Sequence, residues 1–344
     1  MFAKKNLIAV AALATLAVSA QAQSSVTLYG NVDAGLAYVK TKTGSVSNSQ
    51  NLVESSILTE SFFGLKGQED LGGGLKAVFK LESFIDVDTG ATTAGNFFGK
   101  NAYVGLAGDF GTVKLGNQES LFKTEAAAFD AFGTSSHLAT SQLFLSSNGG
   151  ELGGSWQNTV GYTSPNLSGL TVSAQYSAKE ANKAAGAEGG AYSVAANYTA
   201  GALALSAVYG DVKNAVNTGD NSKNRAFLLG GSYDFGVAKA FAHYGQNKST
   251  VTTTGADVNK ATFFDLGAVV PVTQAGSVHA AYGQVKNDNA AAADDKTRKF
   301  SLAYHHALSK RTGVYAGVTY SKADNGPAAD TKTTIVAAGL RHAF

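Results

Sequence analysis

From Ser25 onward the chain reads as a succession of short segments in which apolar and polar residues alternate. In SVTLYGNVDAGLAYV, Val26, Leu28, Val32, Ala34, Leu36 and Tyr38 fall on one face, and Thr27, Tyr29, Asn31 and Asp33 on the other. In GLKAVFKLES, Leu75, Ala77, Phe79 and Leu81 alternate with Lys76, Val78, Lys80 and Glu82. Near the last residue, Phe344, His342, Leu340, Ala338 and Val336 share one face, opposite Ala343, Arg341, Gly339, Ala337 and Ile335. A period of two is the spacing of a β-strand with two different surroundings.

The pattern predicts strands near 25–39, 57–68, 74–85, 98–107, 111–118, 156–165, 169–178, 190–199, 202–211, 224–234, 237–247, 260–270, 276–285, 298–307, 311–321 and 333–344. That is about sixteen, and bacterial single-chain barrels have an even number. Connections alternate in length. GDFG (108–111), PNLSG (165–169), TAGA (199–202) and DFGV (234–237) are tight turns. By contrast 40–56, 86–97, 179–189, 212–223, 248–259, 286–297 and 322–332 are longer and polar. Short turns on one rim and long loops on the other, with many strands near an aromatic, predict an all-β, antiparallel transmembrane barrel whose apolar face meets lipid. A soluble sandwich would have to bury each apolar face against a second sheet. A barrel has no free edge. Its last strand must pair with its first, which places Phe344 in the aromatic girdle at the periplasmic interface.

Composition agrees. There are 40 glycines, 3 prolines and no cysteine, which suits many strands and turns and excludes disulfides and thiolate metal sites. The opening MFAKKNLIAVAALATLAVSAQAQ has Lys4 and Lys5, an apolar core from Leu7 to Val18 and small residues at Ala20 and Ala22. This is the form of a secretory leader, too short to span a membrane, so residues 1–22 are expected to be removed and 23–344 to form the barrel. Taking its two lysines from the 27 basic residues leaves as many bases as the 25 acids. No basic cluster interleaved with aromatics points to nucleic acid.

SSVTLYGNVDAGLAYV, FFGLKGQEDLGGGLKAVFKLES, FGKNAYVGLAGDFGTVKLGNQ, NTVGYTSPNLSGLTVSAQYS and Phe344, in this order behind a leader, resemble the general Gram-negative porins of the Burkholderia and Neisseria type. The resemblance runs along the whole mature chain. It implies a homotrimeric, sixteen-stranded, water-filled outer-membrane channel whose third external loop folds inward. It also implies a terminal aromatic read by the barrel-assembly machinery.

Residues 118–155 form the longest stretch that cannot be laid into strands, and they stand in the third external position. Glu119, Glu125, Asp130 and Glu151 there face a single Lys123, so an inward-folded loop would present carboxylates to the lumen. Alternation puts Lys66, Lys76, Lys80 and Lys114, with Glu82, on the inner wall. A basic wall opposite an acidic loop would set a transverse field across a constriction. Phe62 stands where the family usually has arginine, and Lys100 and Asn117 replace two more. The expectation is therefore weaker anion selectivity than in arginine-rich members, down to mild cation preference. Phe62 is also a candidate apolar contact for a solute. By strict alternation Lys100 would point outwards, so a lumenal role for it needs a bulge or a rim position.

No enzyme is expected. His137, His243, His279, His305, His306 and His342 lie outside any GxSxG or HExxH motif. No cofactor or metal is expected either. Asp294 and Asp295 in an external loop suit solvation or weak divalent bridging to lipopolysaccharide. The expected function is passive diffusion of ions and small hydrophilic solutes across an outer membrane. A substrate-specific channel, and an adhesin or structural barrel, remain the alternatives.

Overall fold

The computed structural model describes residues 25–92, 96–147, 152–178, 190–215, 221–251 and 254–344. The expected leader, the 179–189 loop and Glu151 lie outside them. Eighteen strands join in one hydrogen-bonded order. They are β1 (Ser25–Thr43), β2 (Val46–Ser55), β3 (Phe62–Gly72), β4 (Leu75–Asp86), β5 (Ala91–Thr92), β6 (Asn101–Gly108), β7 (Gly111–Glu119), β8 (Ser155–Thr163) and β9 (Leu170–Ser177). There follow β10 (Ala191–Ala200), β11 (Leu203–Ala215), β12 (Asn221–Asp234), β13 (Lys239–Val251), β14 (Asp257–Pro271), β15 (Gly276–Asn289), β16 (Asp295–Ala307), β17 (Thr312–Asp324) and β18 (Thr331–Ala343).

β2 pairs with the later half of β1 and β3 with the earlier half, so these two share one place in the wall, and β5 is a two-residue appendage to the end of β4. The wall thus has sixteen positions, with antiparallel neighbours throughout. β18 pairs with β1 from Asn31↔Ala343 to Thr43↔Thr331 and closes it. At that seam the Gly30 amide donates to the Phe344 carbonyl at 3.2 Å and the Phe344 amide to the Gly30 carbonyl at 3.1 Å. A Cβ on Gly30 would lie 2.5 Å from the Phe344 ring, so only glycine lets the aromatic lie flat on the closing strand.

One expectation is corrected. Residues 40–56 are no loop: β1 runs on to Thr43 and returns as β2 through a turn at Gly44, whose φ is +58°. The break falls instead at 56–61, between β2 and β3. Most strands from β11 on also extend several residues farther towards the long-loop rim than the alternation indicated. These extensions are rich in Thr, Asn, Lys and Asp on both faces, so they pair as strands without carrying an apolar period.

The faces are inverted relative to a water-soluble protein. Val26 and Leu36 are 65% and 69% exposed, whereas Asp33 is fully buried. Outward aromatics recur on every strand from β11 to β17, among them Tyr209, Phe227, Tyr244, Phe264, Tyr282, Phe300 and Tyr320. Such amphipathic rings suit a membrane interface. The apolar core lies inside the barrel, where Phe122, Phe144, Leu152, Phe132 and Leu138 of the 120–152 stretch pack on small inward residues such as Ala195, Ala261, Ala281 and Ala303.

Candidate functional site: the lumen

After β7 the chain leaves the wall. Ser120 caps helix α1 (Leu121–Ala128) by accepting from the Lys123 amide at 3.1 Å, and a single turn, α2 (Gln142–Leu145), follows. This stretch lies along the inner face of β10–β16. Glu125 accepts from Asn197 of β10 at 3.0 Å and Ser206 of β11 at 2.8 Å. Farther along, the Ala131 carbonyl takes the His279 Nδ1 proton at 2.8 Å, Thr140 donates to Asp265 at 2.8 Å and Lys299 donates to the Ala139 carbonyl at 2.9 Å.

The wall makes room with glycine. A Cβ on Gly210 would meet Phe122 at 2.9 Å, on Gly230 Phe129 at 3.0 Å, on Gly245 Phe144 at 3.1 Å, on Gly267 Ala131 at 2.9 Å and on Gly283 Thr140 at 2.8 Å. These are inward positions on five consecutive strands, β11–β15. The sequence reading missed this track, although a glycine at the inward phase of each successive strand is visible in the alternation.

On the other side the loop is tied to the broken stave. Asp33 organises the 56–61 turn, accepting from the Leu58 and Thr59 amides at 3.1 and 2.9 Å and from the Tyr315 hydroxyl at 2.6 Å. The turn carries Glu60 to Lys123 at 2.7 Å and to Lys100 at 3.0 Å, while Glu119 meets Lys100 at 2.7 Å and Lys123 at 3.1 Å. Two ammoniums and two carboxylates make a neutral knot, bordered by Phe62 and Phe84, whose rings lie 5.2 and 4.9 Å from Lys100 Nζ. Lys100 enters it from the bend before β6, which resolves its parity. Burial alone would lower the pKa of its ammonium, but the charges of Glu60 and Glu119 outweigh that and hold it above the ordinary lysine value.

The expected acidic loop face is therefore corrected. Glu119 is the last residue of β7 and is neutralised in the knot, and Glu125 is turned to the wall. Asp130 is only 6% exposed, held by the Phe132 and Ser141 amides at 2.7 and 2.8 Å. Burial, with the nearby charge of Asp265, pushes its carboxyl above the usual range against those hydrogen bonds.

The lysines fall together. Lys66 of β3 is directly opposite Lys80 of β4, in register with inward Thr27 of β1. Lys76 lies two repeats of the pleat below Lys80 on the same face, and Lys114 of β7 shares the inward face with Tyr103. Lys66 lies 4.5 Å from the Tyr29 ring centre and Lys114 5.4 Å from that of Tyr103. Glu82, 3.7 Å from Lys80, is engaged by Tyr29 at 2.5 Å and Asn101 at 2.6 Å. Thr27, Lys66, Gln68, Lys80 and Tyr103 line a concavity of about 330 Å³. Phe62 faces inward too, edge-on to Tyr29 at 5.9 Å.

His243 and Asp265 meet at 2.8 Å, but Thr140 donates to the aspartate and not to the histidine, so a hydroxyl nucleophile with its base is not assembled there.

A closed wall, apolar outside and polar and charged inside, defines a membrane-spanning channel. Residues 9–326 match the family model of the Gram-negative porins. The chain is 34% identical to outer membrane porin protein 32 of Delftia acidovorans, over 92% of this chain and 88% of that one. It is 31% identical to an outer membrane porin protein of Bordetella pertussis, over 99% of this chain and 100% of that one. Among solved structures, the anion-selective porin from Comamonas acidovorans superposes with a TM-score of 0.81 at 31% identity, covering 94% of this chain and 100% of that one. The chain belongs to the Gram-negative porin family. It is an outer-membrane channel for passive diffusion of solutes, and not an enzyme.

Proposed function

We propose that the lysine arc of β3, β4 and β7 and the docked 120–147 loop together form the selectivity constriction of a general diffusion pore with modest anion preference. One observation carries this. Among the described residues of the loop, Glu119 is neutralised, Glu125 wall-bound and Asp130 buried, while Lys66, Lys76 and Lys114 have no ion-pair partner among the described residues. Mild cation preference is therefore withdrawn. The Comamonas relative is itself an anion-selective porin. Phe62, where the family usually has arginine, keeps the preference modest.

The remaining expectations follow the family resemblance. Residues 1–22 act as the export leader, Phe344 is the aromatic recognised by the assembly machinery, and three copies associate. A Vibrio cholerae barrel of the same fold is described in a trimer form.

The test is the reversal potential in a KCl gradient for the wild type and for Lys66→Gln/Lys80→Gln/Lys114→Gln. The wild type should reverse on the chloride side of zero and the variant should move towards the potassium equilibrium potential; an unmoved potential would remove the arc from selectivity. The concavity between Lys66 and Lys80 favours a second reading, a substrate-specific site for an anionic solute. Saturating flux of a carboxylate or phosphate ester would support it.

A further inference from the structure

Between the docked loop and the short-turn rim, three nitrogen-bearing side chains step diagonally down the inner wall. His279 of β15 stands two residues below inward Ala281, His305 of β16 two below inward Ala303, and Arg341 of β18 four below inward Ala337. The register sets His305 opposite Ser277 and Tyr315, and Arg341 opposite Gly313. The two imidazole rings have centres 6.5 Å apart and stand edge to face at 77°. A Cβ on Gly313 would collide with His305 Nε2, so glycine lets that ring lie across β17 towards Arg341. Neighbouring strands are about 4.8 Å apart, which leaves the imidazole and the guanidinium on either side of one strand gap.

What each group can still offer differs. The Ala131 carbonyl of the loop takes the His279 Nδ1 proton at 2.8 Å, and Nε2 then accepts from the Ser277 hydroxyl at 2.9 Å. Both nitrogens are thereby spent, so His279 presents only the surface of its ring, which Phe132 extends at 5.7 Å between centres. His305 and Arg341 make no side-chain hydrogen bond or ion pair among the described residues, and both are partly exposed to the lumen. Asp33, directly across from Arg341, turns its carboxylate to the Leu58 and Thr59 amides and the Tyr315 hydroxyl, so the guanidinium keeps its charge unpaired.

We propose that this diagonal of imidazoles and guanidinium is a transit site for aromatic carboxylates leaving the constriction. It rests on the reading of the lumen as the solute path. The carboxylate lies on Arg341, whose forked donors match its two oxygens, with His305 Nε2 beside it. The ring of the solute lies along His305, His279 and Phe132, where edge and face contacts between rings add to the burial of apolar area. An aliphatic carboxylate gains the first contact without the second. The lysine arc offers no equivalent, because Lys66 and Lys114 already cover the Tyr29 and Tyr103 rings there. Charge therefore selects at the arc, and charge together with a flat ring selects at the diagonal.

The test is block of single-channel chloride current at neutral pH by sodium benzoate and by sodium cyclohexanecarboxylate, which has the same charge and no aromatic ring. Chloride steps in each variant show that it is folded and open. In the wild type benzoate should block saturably, at a concentration about fivefold lower than cyclohexanecarboxylate. Arg341→Gln should raise the benzoate concentration required about tenfold, and His305→Gln should erase the preference for benzoate. Arg341→Lys, which keeps the charge and loses the fork, should fall between and gives the same reading where Arg341→Gln does not insert. Lys66→Gln/Lys80→Gln/Lys114→Gln should keep the benzoate block, and its chloride reversal potential reports on the constriction separately, so failure of that reading has a different signature. Equal potency of the two acids on the wild type, unchanged block in the Arg341 variants, or loss of block in the lysine variant would overturn the proposal.

Discussion

Glu60 and Lys123 meet at 2.7 Å and join two irregular parts of the barrel, the broken stave between β2 and β3 and the helix of the long loop. Neither side chain exposes more than a fifth of its surface. Glu60→Gln leaves Lys123 with Glu119 alone, and the loss should be about 1–3 kcal/mol of loop docking. The barrel itself should persist. Limited proteolysis should cut within 120–147 faster, and open-channel noise should rise. Wild-type resistance in Glu60→Gln would show that the knot does not hold the loop.

Gly283 and Thr140 give a steric prediction from the opposite wall. A Cβ there lies 2.8 Å from Thr140 Cβ, so Gly283→Val should displace the loop into the lumen at a cost of about 1–3 kcal/mol of overpacking. Conductance should fall. Unchanged conductance in folded Gly283→Val would mean that the loop can move aside without narrowing the path.

Asp130 predicts a pH dependence. Its folded-state carboxyl binds its proton more tightly than the ordinary aspartate value of 3.8, through burial and the charge of Asp265. The folded protein therefore keeps this proton to higher pH than the unfolded chain. Its contribution to stability falls as pH rises from 3.8 through the folded value, and is constant above it. Lys299, Thr140, Ser141 and Asp265 face the group and are left in place by Asp130→Asn. Denaturant unfolding of Asp130→Asn should show a flatter pH profile than the wild type as pH rises above 3.8. An identical slope would assign the dependence to its neighbours.

Phe62 and Lys100 predict the effect of restoring the family's usual residue. The Lys100 ammonium lies 5.2 Å from the Phe62 ring centre, so Phe62→Arg would set a guanidinium beside the knot and raise the positive field in the lumen. Anion preference should strengthen, and permeation of neutral apolar-faced solutes should slow. A change in ion selectivity with neutral flux untouched would dispose of Phe62 as a solute contact.

Much of this was legible in the chain. Each barrel strand must show lipid one face and the lumen the other, so Val26, Leu28 and Leu36 against Thr27, Asn31 and Asp33 announced both the strand and its orientation. Lys66, Lys80 and Lys114 followed from the same parity. The β1–β2 hairpin was not legible, because TKTGSVSN lies beyond the membrane, where neither face is apolar and alternation carries no signal. Nor were the loop's charges. A segment without period gives no side-chain direction, so Asp130 beneath the loop and Glu119 in the knot looked alike as acids. Lys100 was misdirected by strict parity because it precedes β6 in a bend.

The most direct measurement is single-channel recording of the purified protein in planar bilayers under a KCl gradient. An open, basic-lined barrel predicts discrete ohmic steps whose current reverses on the chloride side of zero. Folded protein that inserts without steps, or steps that reverse towards the potassium equilibrium potential, would contradict the account.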